Sequence, residues 1–276
     1  MTPLRAEEIT LYCEDKGEGR SQRILEAAVS ALSGELPFAP TVRPGVDSKS
    51  DVQVRTKFAR TQSGPRLRVF GVRDRDFLTQ PLVLNARRHA FHDKPQSVTS
   101  WPLSRHCIES YLLDDDMLTA AVPDASLDAL HAALDAAAGA RLWLDVARGT
   151  LEDLAYRLRR IRQQDIEERL ADRAAALRVT LGVAEQMRRE LDGASSEERL
   201  ASHLDALASD MTANGPLRCR VDGRELIYEL EVALGKKRGL LLDRLTQHAR
   251  RAPPAALVAD VRAILEAMPT TWRTDA

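Results

Sequence analysis

Aromatic side chains make up only 4% of the 276 residues, and there are just three cysteines. Cys13, Cys107 and Cys219 are scattered and in no paired metal-ligand spacing, which excludes a disulfide framework and a cysteine-built zinc site. They are expected to be reduced, mostly buried thiols. Long hydrophobic runs are missing as well. No stretch approaches the roughly 20 apolar residues that span a bilayer, and no leader-like segment opens the sequence, so the expectation is a cytoplasmic protein with no membrane contact. Net charge is −1, which excludes a global attraction for nucleic acid and leaves any such binding to a local patch. Lysine is scarce, with arginine supplying all but six of the 40 basic residues; beside so much alanine, this reflects genome composition rather than phosphate recognition. No internal repeat or low-complexity tract is present. What remains, 44% hydrophobic and 29% charged residues, is an ordinary globular composition with chain enough for one large domain or two modest ones.

The stretch at 67–77, Leu-Arg-Val-Phe-Gly-Val-Arg-Asp-Arg-Asp-Phe, organises the rest. Its first half is β-rich and follows Gly64-Pro65, which predicts a buried strand with Asp74 and Asp76 at or just past its C-terminal end. In an open α/β sheet, ligands bind at that edge. Residues i and i+2 of a strand share a face, so the two carboxylates are expected to point the same way and to repel unless a cation or proton lies between them. Hard divalent cations take oxygen ligands of this kind. The same two residues also fit a polar turn that caps the next segment.

Upstream, Ile9-Thr-Leu-Tyr-Cys13 predicts a first strand that ends in the acidic loop Glu14-Asp15-Lys16-Gly17-Glu18-Gly19. A helix from Ser21 follows, with Ile24, Leu25, Ala28, Val29 and Leu32 on its apolar face and Gly34 closing it. Residues 38–43 form a weaker strand candidate, followed by a loop at 44–49 and a helix at about 50–60. Such alternation predicts a mainly parallel sheet covered by helices. Residues 78–96 lack clear periodicity and are expected to be a hairpin or irregular excursion; His89 and His92 there have helical spacing but no third ligand nearby. Residues 97–101 are another strand candidate, ended by Pro102. A short helix at 105–113 places Glu109 among Ile108, Leu112 and Leu113, a setting in which a glutamate is either paired with an arginine or functional.

Beyond Asp114-Asp115-Asp116 the pattern is helical. One amphipathic helix carries Leu127, Leu130, Ala133, Leu134 and Ala137. Apolar residues from Leu151 to Leu191 then recur at mostly three- and four-residue steps, which predicts a long helix or helical hairpin, an arm suited to dimerisation or partner docking. Arg157, Arg159, Arg160 and Arg162 lie beside Asp153, Asp165, Glu167 and Glu168 and describe a solvated, salt-bridged face. Helices are expected at about 197–209, 223–234, 239–251 and 254–267, with a possible short strand at 217–221. Two regions result: an α/β domain at 1–122 and a helical region at 123–276, with the arm at about 150–192 and the C-terminal helices at 197–267.

Strand-end residues of one parallel sheet meet at its carboxyl edge, so Glu14, Asp74, Asp76 and Glu109 fall at comparable places. This order resembles the TOPRIM domain of topoisomerases, primases and OLD-family nucleases. Gly-Val-Arg-Asp-Arg-Asp-Phe at 71–77 looks like the Gly-Ile-x-Asp-x-Asp-Phe signature of bacterial TOPRIM-like proteins found beside ABC-type ATPases in phage defence. Ile-Glu-Ser-Tyr-Leu-Leu at 108–113 is similar to their Ile-Glu-Asn-Tyr-Leu-Leu block, and Asp-Gly-Arg-Glu-Leu at 222–226 to their Gly-Lys-Glu-Leu element. The resemblance covers about 8–114, is patchy beyond and does not extend to the arm. Where the family writes Glu-Gly after the first strand, this chain has Glu14-Asp15-Lys16-Gly17, so Glu18 competes with Glu14 for the role.

The resemblance implies a TOPRIM-like, mainly parallel sheet flanked by helices and an Mg²⁺- or Mn²⁺-dependent endonuclease acting on tRNA, other RNA or DNA. Asp74, Asp76 and Glu14 would hold the ion, Glu109 would be a further ligand or lie just outside, Glu14 could serve as general base, and Lys49 would bind phosphate at a helix start. It also implies a homodimeric effector of anti-phage defence restrained by an ABC-type ATPase partner. A catalytically weak binding subunit that docks such an ATPase is the alternative. A receiver-type phosphotransfer protein also gathers strand-end acids, but no later strand ends in a clear Ser/Thr and then a lysine.

Overall fold

The computed structural model describes residues 8–15, 19–35, 40–46, 52, 56, 67–76, 78–89, 100–164, 173–194, 197–213 and 215–267. It divides into two compact units, one of residues 1–139 with 215–276 and one of residues 140–214.

The first unit is built on a four-stranded, all-parallel sheet in the order β2-β1-β3-β4, formed by β1 (Glu8–Asp15), β2 (Thr41–Val46), β3 (Leu67–Arg73) and the two-residue β4 (Trp101–Pro102). Ile9, Leu11 and Cys13 of β1 and Phe70 and Val72 of β3 are buried, as expected of central strands covered on both faces. Helix α1 (Arg20–Ala31) lays Ile24, Leu25, Ala28 and Val29 against this layer, the face its spacing predicts. Strand β2 begins and ends later than the sequence suggests, because Pro44 is accommodated within it: β2 is an edge strand, where a missing N–H is tolerated. Of the helix expected at 50–60, only Val52 and Thr56 are described, both helical and fully buried. They explain Gly71: a Cβ there would stand 2.9 Å from Val52 Cγ1 and 3.1 Å from Thr56 Oγ1, so only glycine lets this turn lie directly on β3.

The irregular excursion expected at 78–96 is in fact a helix over its described part, α2 (Gln80–His89). Its buried face is narrow, Val83 and Ala86, while Leu82 and Leu84 are exposed, so the apolar pattern that would reveal it is blurred. Arg87 holds it to β4, donating to the Pro102 carbonyl at 3.0 and 3.1 Å and lying over the Trp101 ring. Residues 108–113 form a 3-10 segment, and the strand considered at 217–221 is a 3-10 turn at Leu217–Cys219.

The sequence places a boundary after residue 122, with everything beyond it helical and separate; the structure divides differently. After α3 (Asp115–Ala121) and α4 (Leu127–Gln164), the chain passes through α5 (Arg173–Ala194) and α6 (Glu197–Ala213). It then returns to the sheet unit as α7 (Gly223–Ala233), α8 (Leu240–Ala249) and α9 (Ala255–Ala267). These last helices pack on α1, α3 and the 3-10 segment, and Leu226, Ile227, Leu241, Leu242, Leu245, Leu257, Val261 and Ile264 are wholly buried. At about 1.5–3 kcal/mol for each buried aliphatic side chain, the sheet unit depends on them. The second unit comprises the later part of α4 with α5 and α6, where Val146, Leu207, Ala208 and Met211 are buried. The arm expected from about 150 is therefore the continuation of a 38-residue helix that begins at Leu127.

A buried carboxylate fixes the turn between α7 and α8. Glu231, fully buried, accepts from the N–H groups of Gly239 at 2.6 Å, Leu241 at 2.5 Å and Leu242 at 3.3 Å, satisfying donors that the start of α8 cannot bond within itself. Glu231→Ala is expected to lower the unfolding free energy by about 3 kcal/mol and Glu231→Gln, which keeps a carbonyl acceptor, by less than half of that. Urea titration followed by circular dichroism measures both.

Candidate active site

Three of the residues singled out by the sequence leave the carboxyl edge of the two central strands. Cys13 is in register with Val72, so Glu14 lies one residue beyond that pair on β1 and Asp74 two residues beyond it, just past β3. Glu14, Asp74, Arg73, Ser21 and Ile108 line a common small cleft. Asp76 follows in a left-handed conformation, φ 45°, the one non-glycine residue with positive φ among those described; aspartate tolerates that region better than most side chains. The i, i+2 parity expected to align Asp74 with Asp76 does not operate, because the strand ends at Arg73. A turn sets the pair instead. The Asp76 N–H donates to the His106 carbonyl at 2.8 Å, and the buried Arg75 between the two acids donates to the carbonyls of Leu78 and Ser104 at 2.9 and 3.1 Å.

The acids nevertheless act on one another. The Asp74 carboxyl is held well above the usual carboxylate range, first by burial and then by the negative charges of Asp76, Glu14 and Glu109, with the Ile108 N–H opposing them. That N–H donates to Asp74 Oδ1 at 3.1 Å. The three other acids named from the sequence thus all raise the Asp74 carboxyl. Cys107 senses the same field: burial and then Glu109, Asp74 and Asp222 push its thiol up, which keeps it protonated and unsuited to act as a nucleophile.

Glu109 has a partner that sequence analysis left open. It is 3% exposed, and its Oε1 accepts from Arg224 Nε at 3.0 Å and, more closely, from Arg224 Nη2. Burial works against the charge of Arg224, but Glu109, with Cys107 and Asp222, more than offsets it and raises the guanidinium pKa. Two of the sequence blocks are therefore in direct contact. Asp222 caps α7, accepting from the N–H groups of Arg224 and Glu225 at 3.0 and 3.3 Å. Gly223 lies so close to the 3-10 segment that a Cβ would stand 2.4 Å from the Ser110 nitrogen, and the Ser110 hydroxyl donates to the Val221 carbonyl at 3.4 Å. Arg224 was not among the candidate residues; the signal for it was Glu109 itself, a carboxylate in an apolar run that needed a cation.

The loop carrying these contacts is anchored from the C-terminal helices. Asp260 of α9 accepts from the Ser104 N–H at 2.7 Å and from the Tyr111 hydroxyl, while Arg105 stacks over Tyr111 and pairs with Asp114 at 2.5 Å. Lys49, Glu18 and His92 lie outside the described residues.

The donor chemistry suits a hard divalent cation: oxygen ligands whose mutual repulsion a bound cation would relieve. Among the described residues, however, no group of three or more His, Cys, Asp or Glu side chains is arranged to hold a metal ion, and Glu109 is engaged by Arg224. Among the described residues no helix is long and apolar enough to cross a membrane. Comparison with family models, curated proteins and solved structures gives no match for this chain.

The raised Asp74 value has a direct consequence for stability. The folded chain binds the Asp74 proton more tightly than the unfolded chain, whose value is 3.8, so this contribution is present at low pH and is lost as pH rises through the folded value. Asp74→Asn keeps an acceptor for the Ile108 N–H and removes the charge. Thermal melts of metal-free protein are expected to show the variant more stable than wild type near neutral pH, with the difference disappearing near pH 4.

Proposed function

We propose that the chain is a TOPRIM-like, Mg²⁺- or Mn²⁺-dependent endonuclease that hydrolyses phosphodiester bonds in RNA, including tRNA, or in DNA. The observation that carries this reading is the crowding of Asp74 by Asp76, Glu14 and Glu109, positions far apart in the chain that the motif pattern had singled out together. Acids held at a stability cost at the carboxyl edge of a parallel sheet favour a chemical role over a structural one.

In this reading Asp74 and Asp76 hold the ion with Glu14 beside them. Bound there, the cation would neutralise the scissile phosphate and lower the pKa of a bound water. Glu14, at the end of β1 and in the same cleft as Asp74, takes the proton from the attacking water. The Asp74 carboxylate is held by the Ile108 N–H, and the backbone of Asp76 by its bond to the His106 carbonyl. Glu109 stays with Arg224 and serves the site through that ion pair. We further propose a homodimeric effector of anti-phage defence under the control of an ABC-type ATPase, with the helical region around α4 to α6 as the docking element. The engagement of Glu109 favours one competing reading, a binding subunit with little catalytic power.

Purified protein is expected to cut labelled tRNA or plasmid DNA in Mg²⁺ or Mn²⁺, and a folded Asp74→Ala/Asp76→Ala variant to lose at least about a thousandfold in rate. If wild type and variant are equally inert on both substrates, with a candidate ATPase and trigger supplied, the binding-subunit reading replaces this one.

A further inference from the structure

The guanidinium of Arg224 is only partly used. It carries five N–H donors, yet Nε and Nη2 both go to a single oxygen of Glu109, and among the described residues Nη1 makes no hydrogen bond. The Arg224 side chain is 33% exposed where that of Glu109 is 3% exposed, so the guanidinium reaches the surface while its carboxylate partner does not. Three other guanidiniums around loop 102–107 are committed elsewhere. Arg75 is buried on two carbonyls, Arg87 donates to Pro102 and covers Trp101, and Arg105 donates to the Ser110 carbonyl, pairs with Asp114 and covers Tyr111. Arg87 shares the pattern of Nε and Nη2 on one oxygen, but its acceptor is the Pro102 carbonyl; of these four, Arg224 is the one held by an acid of the cluster with further N–H donors uncommitted.

We propose that Arg224 is an anion-binding residue of this site, with its Nη1/Nη2 edge set to receive the non-bridging oxygens of a phosphodiester. The inference rests on the endonuclease reading for its ligand class. Planar, bidentate donation to a phosphate is what a guanidinium does better than an ammonium. Glu109 is then a positioning residue: it holds the guanidinium through Nε so that the fork needs no ordering when the phosphate arrives. Gly223, pressed against the Ser110 backbone, and Asp222, capping α7, set the distance from which Arg224 reaches. The C-terminal helices thereby supply a functional group to the sheet edge as well as core.

The probe is dimethyl phosphate, titrated into the full chain in Mg²⁺ while the Arg224 Nε–H resonance, identified by its loss in Arg224→Lys, is followed by NMR. The resonance is expected to move saturably, and Arg224→Lys to weaken the diester about tenfold or more. Because Arg224→Gln alone would strand a buried carboxylate and threaten the fold, the second variant is Glu109→Gln/Arg224→Gln, which removes both charges. It is expected to fold, to lose diester binding and, on a cleavable substrate, to raise KM as well as lower kcat. A resonance that moves in a protein that cuts nothing, with a candidate ATPase and trigger supplied, keeps this inference and sinks the endonuclease reading. A resonance that stays still, or a double variant that binds and cuts as wild type does, overturns the inference and leaves the endonuclease reading standing.

Discussion

The Asp74 carboxyl is buried at the end of a parallel strand with Asp76, Glu14 and Glu109 around it, and the surrounding architecture serves to keep it there. Left alone, such a group would protonate or turn to solvent. It does not turn, because the Ile108 N–H holds one oxygen and the Asp76 N–H is bonded to His106. Both contacts come from the loop after β4, which the Asp260 carboxylate on the last described helix fixes through Ser104 and Tyr111. The position of one strand-end acid thus depends on a helix at the far end of the chain.

This dependence explains why the C-terminal helices belong with the sheet. Their leucines and isoleucines close the core over α1 and α3, and the start of α7 brings Arg224 to Glu109 across a glycine contact that admits no side chain. One carboxylate of the four is neutralised within the protein, which leaves Asp74, Asp76 and Glu14 as the set whose repulsion is uncompensated by that pair. The cost of that repulsion to stability is what favours the chemical role proposed for these acids.

Much of the fold was legible in the sequence because its signals are local. The β-branched run before Glu14, the apolar spacing of α1 and the strand ending at Arg73 needed no tertiary information, and they led directly to the acids at the sheet edge. Helix α2 was not legible, since it buries only Val83 and Ala86 and exposes two leucines. Nor was the geometry of Asp76, where a left-handed turn replaces strand parity. The pairing of Glu109 with Arg224 spans 115 positions; only the anomaly of a glutamate in an apolar block pointed to it. The division of the chain was misjudged because helices that complete a core and helices that form a separate unit share one amphipathic pattern, and only the contacts of α7 to α9 tell them apart.

The central claim is that the strand-end acids form a cation site, and calorimetric titration of Mg²⁺ or Mn²⁺ into metal-free protein tests it most directly. The account predicts saturable binding that is lost in Asp74→Ala/Asp76→Ala and weakened by Glu14→Gln, with each variant folded by circular dichroism. No binding, or binding that survives in the double variant, would contradict it and leave the acidic cluster without the role assigned to it here.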